Sequence, residues 1–223
     1  MKKILLLLAV LTFSFNAFSQ SKVKIALRVA PGLSLNTVQD KSGTDSIAFS
    51  KNGAGFAFSG GLGFDFMLSD NYSISTGLWY TTRRAGLKQK NDSTDNKALY
   101  SSAIAAQYVQ IPLALKLYTN EIVTNMKLYF QVGGTLDIKI AEKLKKSDNP
   151  VYLGTYRSNF LPLNVGILAG AGVEYQTGGN MILFAGIFYN RGLMNQIKNT
   201  DIRYRDYMKY NNSNLSLELG AKF

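Results

Sequence analysis

The chain has 223 residues, no cysteine, no histidine and a formal net charge of +11 at pH 7. The lack of cysteine excludes disulfides, thiolate nucleophiles and thiolate metal sites, and the lack of histidine excludes imidazole bases, histidine metal sites and Ser-His-Asp triads. The length suits a single domain. Because no catalytic or cofactor motif is present, the sequence predicts a non-enzymatic protein that needs neither a cofactor nor a metal.

The first residues have the pattern of a secretory signal peptide. Two lysines precede an apolar run at residues 4–11, and residues 17–19 form a small-residue cleavage site. The apolar run is too short for a membrane-spanning helix, which needs about 20 residues. We therefore predict that residues 1–19 are a signal peptide and that residues 20–223 form the mature domain. An exported basic chain meets anionic lipids and glycans, so we expect no nucleic-acid partner.

The mature part shows the two-residue alternation that is typical of β-strands. In its first segment, large apolar residues alternate with small or charged ones, and the apolar set is Val23, Ile25, Leu27, Val29, Leu33 and Leu35. The pattern recurs in eight segments, at residues 23–35, 56–68, 72–82, 108–118, 127–138, 160–175, 181–193 and 213–223. Each segment has about ten residues or more, which is the length that a tilted strand needs to cross a bilayer.

The connections between these segments alternate in length. Short turns are predicted at residues 69–71, 119–126 and 176–180, and long polar loops at residues 36–53, 83–107, 139–159 and 194–212. Outer-membrane barrels have short turns at one rim and long loops at the other. The sequence therefore predicts an all-β fold: an eight-stranded, antiparallel, up-and-down transmembrane β-barrel in the outer membrane of a bacterial cell, in contact with its lipid.

Two features fit this barrel less simply. Pro31, Pro112 and Pro162 lie inside proposed strands, where a missing N–H interrupts the hydrogen-bond ladder. We expect bulges or strand-end positions to accommodate them. In the segment at residues 181–193 both alternating sets contain large apolar residues, so the sequence does not decide which set faces inward.

The residues opposite the large apolar set are mostly glycine, alanine and serine, which suit an interior only just wide enough for side chains. A soluble ligand-binding barrel with its apolar set inside is the alternative. The alternation predicts inward charges at Lys24, Arg28, Asp65, Lys116, Asp137, Glu174, Glu218 and Lys222. Because an unpaired buried charge is costly, we expect these charges to pair into a structural plug. An ion or proton pathway is the sharper alternative.

Three of the predicted long loops carry excess positive charge. Their cations can contact phosphates of outer-leaflet lipopolysaccharide by charge-assisted hydrogen bonds. The candidate contact residues are Arg83, Arg84, Lys88, Lys143, Lys145, Lys146, Arg203 and Arg205. Solvated loops that keep the chain soluble during export are the alternative.

The segment at residues 213–223 places Leu215, Leu217, Leu219, Ala221 and Phe223 on one face. A strand that finishes on an aromatic residue resembles the signal that the outer-membrane assembly machinery recognises. The physical basis is addition of the strand to an exposed sheet edge, with its alternate side chains supplying specificity. We therefore predict that Phe223 is an assembly signal and that the assembly machinery is a partner.

Five short motifs resemble strands of a known family. Residues 108–116 (YVQIPLALK) are similar to a YLEIPLLLK strand that contains the same proline, and residues 170–175 (GAGVEY) to a GAGxEY strand. Residues 189–193 (YNRGL) are similar to a YxxGL segment, and the GAKF at residues 220–223 fits as well. Residues 130–133 (FQVG) begin like the fifth strand, but Gly-Thr replaces the Pro-Tyr that commonly follows. Together the motifs resemble the PorT-like outer-membrane β-barrel family of Bacteroidetes.

This resemblance implies the barrel fold and the outer-membrane location. The name-giving member is tied to gliding and type IX protein secretion, so the resemblance also implies a role in secretion, with secretion-system subunits as partners. From the residues, the leading hypothesis is a non-enzymatic barrel with a structural, adhesive or assembly-assisting role that exposes basic loops. A component of a secretion system is the second hypothesis, and a narrow transporter of ions or small solutes is the third.

Overall fold

The computed structural model describes residues 23–40, 47–51, 54–91, 98–147, 161–195 and 208–223. The regular structure in these ranges is all β, as predicted. The strands are β1 (Val23–Asp40), β2 (Ile47–Lys51), β3 (Gly55–Ser69), β4 (Tyr72–Asn91), β5 (Ala98–Val123), β6 (Met126–Ser147), β7 (Leu163–Gln176), β8 (Ile182–Gly192) and β9 (Met208–Lys222). Within these ranges we find no helix long and apolar enough to span a membrane. The predicted signal peptide lies outside the described residues.

Eight of these strands close into an antiparallel barrel. The order in the sheet is β2-β4-β3-β1-β9-β8-β7-β6-β5, and β5 pairs again with β4 to complete the circle. The short strand β2 pairs with β4 beyond the end of β3. The seam lies between β1 and β9, where Ile25 and Phe223 exchange two backbone hydrogen bonds of 3.1 and 2.9 Å. The predicted eight-stranded, up-and-down topology is confirmed.

Several strands are longer than the sequence pattern predicted. β4 continues to Asn91, β5 begins at Ala98 and β6 runs to Ser147, so much of the predicted loops is paired strand. The prediction was wrong here because an antiparallel ladder needs only backbone groups, whereas the apolar alternation ends where the strand leaves the lipid. The turn predicted at residues 119–126 is also shorter, and it contains Asn125 with a φ of 64°, a conformation that asparagine tolerates.

The large apolar residues point away from the barrel axis. Leu27 is 56% exposed and Ile167 is 49% exposed, and every barrel strand contributes such residues. In β7 this apolar surface extends from Leu163 to Tyr175, which spans about 30 Å for a tilted strand and matches the hydrocarbon thickness of a bilayer. We call this outward surface the apolar belt. Its existence overturns the alternative of a soluble barrel with an apolar interior.

The interior also contains aromatic side chains. For these the sequence alternation did not decide between an inward and an outward position. In β8 the inward set includes Phe184 and Phe188, which resolves the ambiguity at residues 181–193. Glycines on neighbouring strands make room for these rings. A Cβ atom at Gly220 would overlap the ring of Phe184, and one at Gly170 would overlap the ring of Phe188. The aromatic side chains therefore fill the space that the interior glycines leave open, because glycine has no side chain.

Two of the three prolines in the proposed strands fit into their strands without the bulges that the sequence suggested. Pro31 and Pro112 lie inside β1 and β5 without a bulge, each keeping its register with one neighbouring strand. With the other neighbour the pairing skips residues 30–31 and 111–112, because proline has no N–H to donate. Pro162 precedes β7 and thus takes a strand-end position.

The closed circle of eight strands predicts a simple behaviour on gels. The detergent-folded mature protein should migrate faster unboiled than boiled, because the closed hydrogen-bonded sheet resists opening by detergent. Its far-ultraviolet circular dichroism spectrum should be that of a β-protein. A helix-dominated spectrum, or identical migration before and after boiling, would contradict the closed barrel.

Candidate functional site

The charged interior of the barrel is the candidate functional site. Among the residues that the structure describes, it buries four cations and four anions. We call the rim with the long connections the long-loop rim and the rim with the short turns the short-turn rim. The inward position of each residue follows from the strand alternation, which turns every second side chain toward the axis. The buried charges are Arg28, Arg83, Lys116, Lys222, Asp65, Asp137, Glu174 and Glu218.

Near the long-loop rim, Asp137 is the centre of a hydrogen-bonded cluster. Its carboxylate is fully buried and accepts hydrogen bonds from Arg83 at 2.6 Å, Gln110 at 2.6 Å and Asn164 at 2.8 Å. Arg83 also donates to the Asn190 side chain at 3.2 Å. Donors from β4, β5 and β7 therefore converge on the β6 carboxylate, and Arg83 extends the cluster to β8.

Between this cluster and the long-loop rim, amide and hydroxyl side chains form a further layer of hydrogen bonds. The Asn212 amide donates to Ser34 Oγ at 2.7 Å and to Asn36 Oδ1 at 2.6 Å. The Ser34 hydroxyl in turn donates to the Arg84 backbone carbonyl at 3.0 Å. These contacts connect β1, β9 and β4 across the top of the interior.

In the middle of the barrel, Arg28 lies between a carboxylate and an aromatic ring. Its guanidinium pairs with Glu218 at 2.8 Å and lies 3.3 Å from the centre of the Trp79 ring. A guanidinium over an indole face gains cation–π attraction, which is strongest where water is excluded. Arg28 and Glu218 come from β1 and β9, so this ion pair bridges the seam of the barrel.

Near the short-turn rim, Asp65, Lys116, Glu174 and Lys222 form a compact cluster that we call the charge ring. Lys222 Nζ lies 2.5 Å from Asp65 Oδ2 and 2.5 Å from Glu174 Oε1. Lys116 Nζ contacts the same two oxygens at 3.3 and 3.7 Å. The Tyr118 hydroxyl accepts from Lys222 at 3.2 Å. Each cation of the ring therefore contacts both anions.

Two cavities that the described residues line between these layers are small. A cavity of about 20 Å³ lies among Arg28, Trp79, Arg83 and Asn190, which is roughly enough for one or two water molecules. A second cavity of about 60 Å³ opens at the short-turn rim beside Lys24 and Glu174. In the part of the chain that the structure describes, no group of three or more acidic side chains is placed to hold a metal ion. Among the described residues, side chains thus occupy most of the interior, and each buried carboxylate contacts a cation.

The structure brings the predicted inward charges together, and it also corrects one assignment. Seven of the eight are buried, and Lys24 is half-buried at the short-turn rim. Arg83 was predicted to lie in an extracellular loop, but it is only 2% exposed and pairs with Asp137. The reason is that β4 continues past residue 82 and the alternation turns Arg83 inward.

The other predicted cationic residues have different positions. Arg84 lies in β4 with a partly buried side chain, and Lys88 lies further along the same strand. Lys143, Lys145 and Lys146 lie in β6 beyond the apolar belt. Arg203 and Arg205 lie outside the described residues.

Sequence reasoning missed the uncharged polar partners of Asp137. Gln110, Asn164 and Asn190 are buried and contribute to its cluster. The signal that could have found them is present in the sequence, since all three occupy inward positions of their strands. An amide at an inward position between lipid-facing apolar residues requires a buried hydrogen-bond partner.

A model of the outer membrane protein beta-barrel domain family matches residues 18–198. The chain belongs to this family. It is therefore an outer-membrane β-barrel protein, located in the bacterial cell outer membrane. The finer resemblance to PorT-like proteins stays a prediction. A search of curated proteins returns no match.

The chain is also similar to solved structures. Outer membrane protein OprG from Pseudomonas aeruginosa is 13% identical, with a TM-score of 0.52, over 90% of this chain and 95% of that chain. Neisserial surface protein A is 14% identical, with a TM-score of 0.47, over 91% of this chain and 99% of that chain. At such low identity the likeness to OprG supports the fold alone.

Proposed function

We propose that this outer-membrane barrel is a closed, non-enzymatic anchor that acts at the cell surface. Its basic strand extensions contact the phosphates of outer-leaflet lipopolysaccharide, in a structural or adhesive role. The observation that carries the proposal is that a filled interior occurs together with a lysine-rich rim. The first feature argues against passage through the barrel, and the second supports a role at its outer rim.

The filled interior supports an anchor rather than a transporter. The carboxylates of Asp137, Glu218, Asp65 and Glu174 each contact a cation at 3.7 Å or less. An ion that crosses the barrel would have to separate these pairs in turn, and breaking a buried pair by removing its partner is strongly unfavourable. An eight-stranded barrel also has an interior just wide enough for its side chains.

The strand extensions supply the basic surface. They are the strand residues on the long-loop side of the apolar belt, at residues 37–40, 47–51, 85–91, 98–104, 141–147 and 208–211. They contain seven lysines and two acidic residues. Because these residues are paired strands, the lysine backbones are held at fixed register positions, and ordering them on a ligand costs less entropy than ordering a loop.

The position of the extensions along the membrane normal matches that of the lipid phosphates. In β1 and β9 they lie just beyond the last exposed leucines of the apolar belt, Leu35 and Leu215, and the headgroup region of a bilayer lies directly outside its hydrocarbon core. Each lysine near an anionic lipid surface contributes about 1 kcal/mol to attraction, which falls off within a Debye length. Several lysines together are therefore sufficient to select phosphorylated lipid.

A binding experiment tests this proposal. Lys88, Lys90, Lys143, Lys145 and Lys146 are replaced together by glutamine, and binding of the folded barrel to purified lipopolysaccharide is measured by native mass spectrometry. We expect the affinity to fall at least about tenfold, because each lost cation removes about 1 kcal/mol. Raising the salt concentration should weaken the unmodified protein in the same direction.

The control variant carries arginine at the same five positions. It keeps the charge, so its affinity should stay within about threefold of the unmodified protein, since 0.6 kcal/mol is roughly that factor. Dephosphorylated lipopolysaccharide should bind the unmodified barrel as weakly as the glutamine variant binds the phosphorylated form. Equal affinity of the glutamine and unmodified proteins for the phosphorylated form would contradict the proposal.

A further inference from the structure

The charge ring has an arrangement that simple pairing does not require. Its four members come from β3, β9, β7 and β5, which are every second strand in the circular order β3-β1-β9-β8-β7-β6-β5-β4. Asp65, Lys222, Glu174 and Lys116 therefore stand at four evenly spaced positions around the barrel. Their charges alternate in sign around the circle.

The ring depends on the strand that closes the barrel. Lys222 belongs to β9, and its register partners are Ala26 on β1 and Ile182 on β8. The Lys222 side chain reaches Asp65 on one side and Glu174 on the other. The contacts of Asp65 and Glu174 with Lys222 are shorter than their contacts with Lys116. These shorter contacts require β9 to pair with both of its neighbours in this register.

From this geometry we infer that the charge ring is a register lock, which allows the barrel to close between β1 and β9 in one alignment only. A slip of one residue turns Lys222 toward lipid and Phe223 toward the interior. A slip of two residues moves Lys222 by about 7 Å along the strand. In both cases Asp65 and Glu174 are left with Lys116 as the remaining cation of the ring, in a space where an unpaired charge is costly.

The apolar face of β9 does little to distinguish the native alignment from one that has slipped by two residues. Leu215, Leu217 and Leu219 are all lipid-exposed and equivalent in type, so a slip of two residues exchanges one leucine for another at the same depth. The inward positions of β9 are different from one another, with Ser216, Glu218, Gly220 and Lys222 in succession. Register information for the seam is therefore concentrated on the inward face.

A charge exchange tests the ring. Lys222→Glu leaves three anions and one cation, and we expect the yield of heat-modifiable barrel after refolding into detergent micelles to fall at least about tenfold. Glu174→Lys alone should cause a comparable loss. The double variant Lys222→Glu with Glu174→Lys restores two charges of each sign but places like charges side by side around the ring, so it should recover little of the yield. Reversing all four charges, with Asp65→Lys, Lys116→Glu, Glu174→Lys and Lys222→Glu, restores the alternation and should recover much of it. A fourfold variant that refolds no better than the worse single variant would overturn the inference.

A second experiment reads the register directly, because the natural chain has no cysteine. Leu27 faces Ala221 across the seam in the native alignment. Leu27→Cys with Ala221→Cys reports this alignment by cross-linking, and Leu27→Cys with Leu219→Cys reports a slip of two residues. Both pairs are placed in a background with Arg28→Met and Glu218→Met, which removes the other ion pair across the seam, once with the charge ring intact and once with an apolar ring of Asp65→Leu, Lys116→Met, Glu174→Met and Lys222→Met.

With the charge ring present, we expect only the pair at 27 and 221 to cross-link. With the apolar ring, which can fold because apolar replacement of a whole buried ionic cluster is often tolerated, both pairs should cross-link. Exclusive cross-linking of 27 and 221 in the apolar background would overturn the register lock. If the apolar ring does not fold, the charge exchange decides: recovery in the fourfold variant supports the lock, and no recovery refutes it.

Discussion

Replacing Phe223 with aspartate is expected to leave export into the periplasm intact and to reduce insertion into the outer membrane at least about tenfold. The Phe223 side chain is 59% exposed on the lipid-facing side, directly after β9. Burying a phenylalanine against a partner contributes about 1.5–3 kcal/mol, which corresponds to roughly a tenfold effect or more. We therefore expect the aspartate variant to lose recognition by the assembly machinery.

The backbone contacts of Phe223 make this prediction specific. Its N–H donates to Ile25 and its carbonyl accepts from Ile25, and neither bond depends on the side chain. The aspartate variant should thus refold in detergent almost as well as the unmodified protein, while Phe223→Tyr should insert normally in cells. Fractionation of the outer membrane and the soluble periplasm measures the effect. Normal insertion of the aspartate variant in cells would refute the role of Phe223 as an assembly signal.

Arg83→Met is expected to destabilise the folded barrel by about 3–5 kcal/mol, because it leaves the Asp137 carboxylate buried without its cation. Gln110 and Asn164 still donate to that carboxylate, but they carry no charge. The midpoint of unfolding by guanidinium chloride in micelles, combined with the slope of the transition, measures the change in the free energy of unfolding.

A double variant separates the ion pair from simple loss of packing. Arg83→Met with Asp137→Leu removes both charges, and apolar replacement of a buried ion pair is often neutral or stabilising. We therefore expect the double variant to be at least about 1 kcal/mol more stable than Arg83→Met. Additive losses in the two single variants and their combination would show that the two residues do not act as a pair.

The membrane-embedded half of each strand was predictable because lipid and interior impose opposite demands on alternate residues. Leu27 and Arg28 are adjacent in the chain, and their chemistry alone assigns one to lipid and the other to the interior. The same alternation would have placed Arg83 inside, but the polar residues that follow it resembled a loop. Where a strand rises out of the membrane, both faces meet water and the pattern carries no information about pairing.

The interior partnerships were less accessible to sequence reasoning. The pairing of Arg83 with Asp137 joins residues that are 54 positions apart in the chain, and it depends on the stagger of strands around the closed barrel. The inward position of Phe188 also required the structure, because both faces of β8 carry large apolar residues. Its place is determined by the room that Gly170 provides on β7.

Conductance of the purified barrel in a planar lipid bilayer is the most direct test of a closed interior and an external role. The paired charges of Arg83 with Asp137 and Arg28 with Glu218, together with the charge ring, leave cavities of about 20 and 60 Å³. We predict that the reconstituted monomer gives no stable, porin-sized conductance steps. Such steps, seen reproducibly with the heat-modifiable form, would contradict the filled interior and favour a transport function.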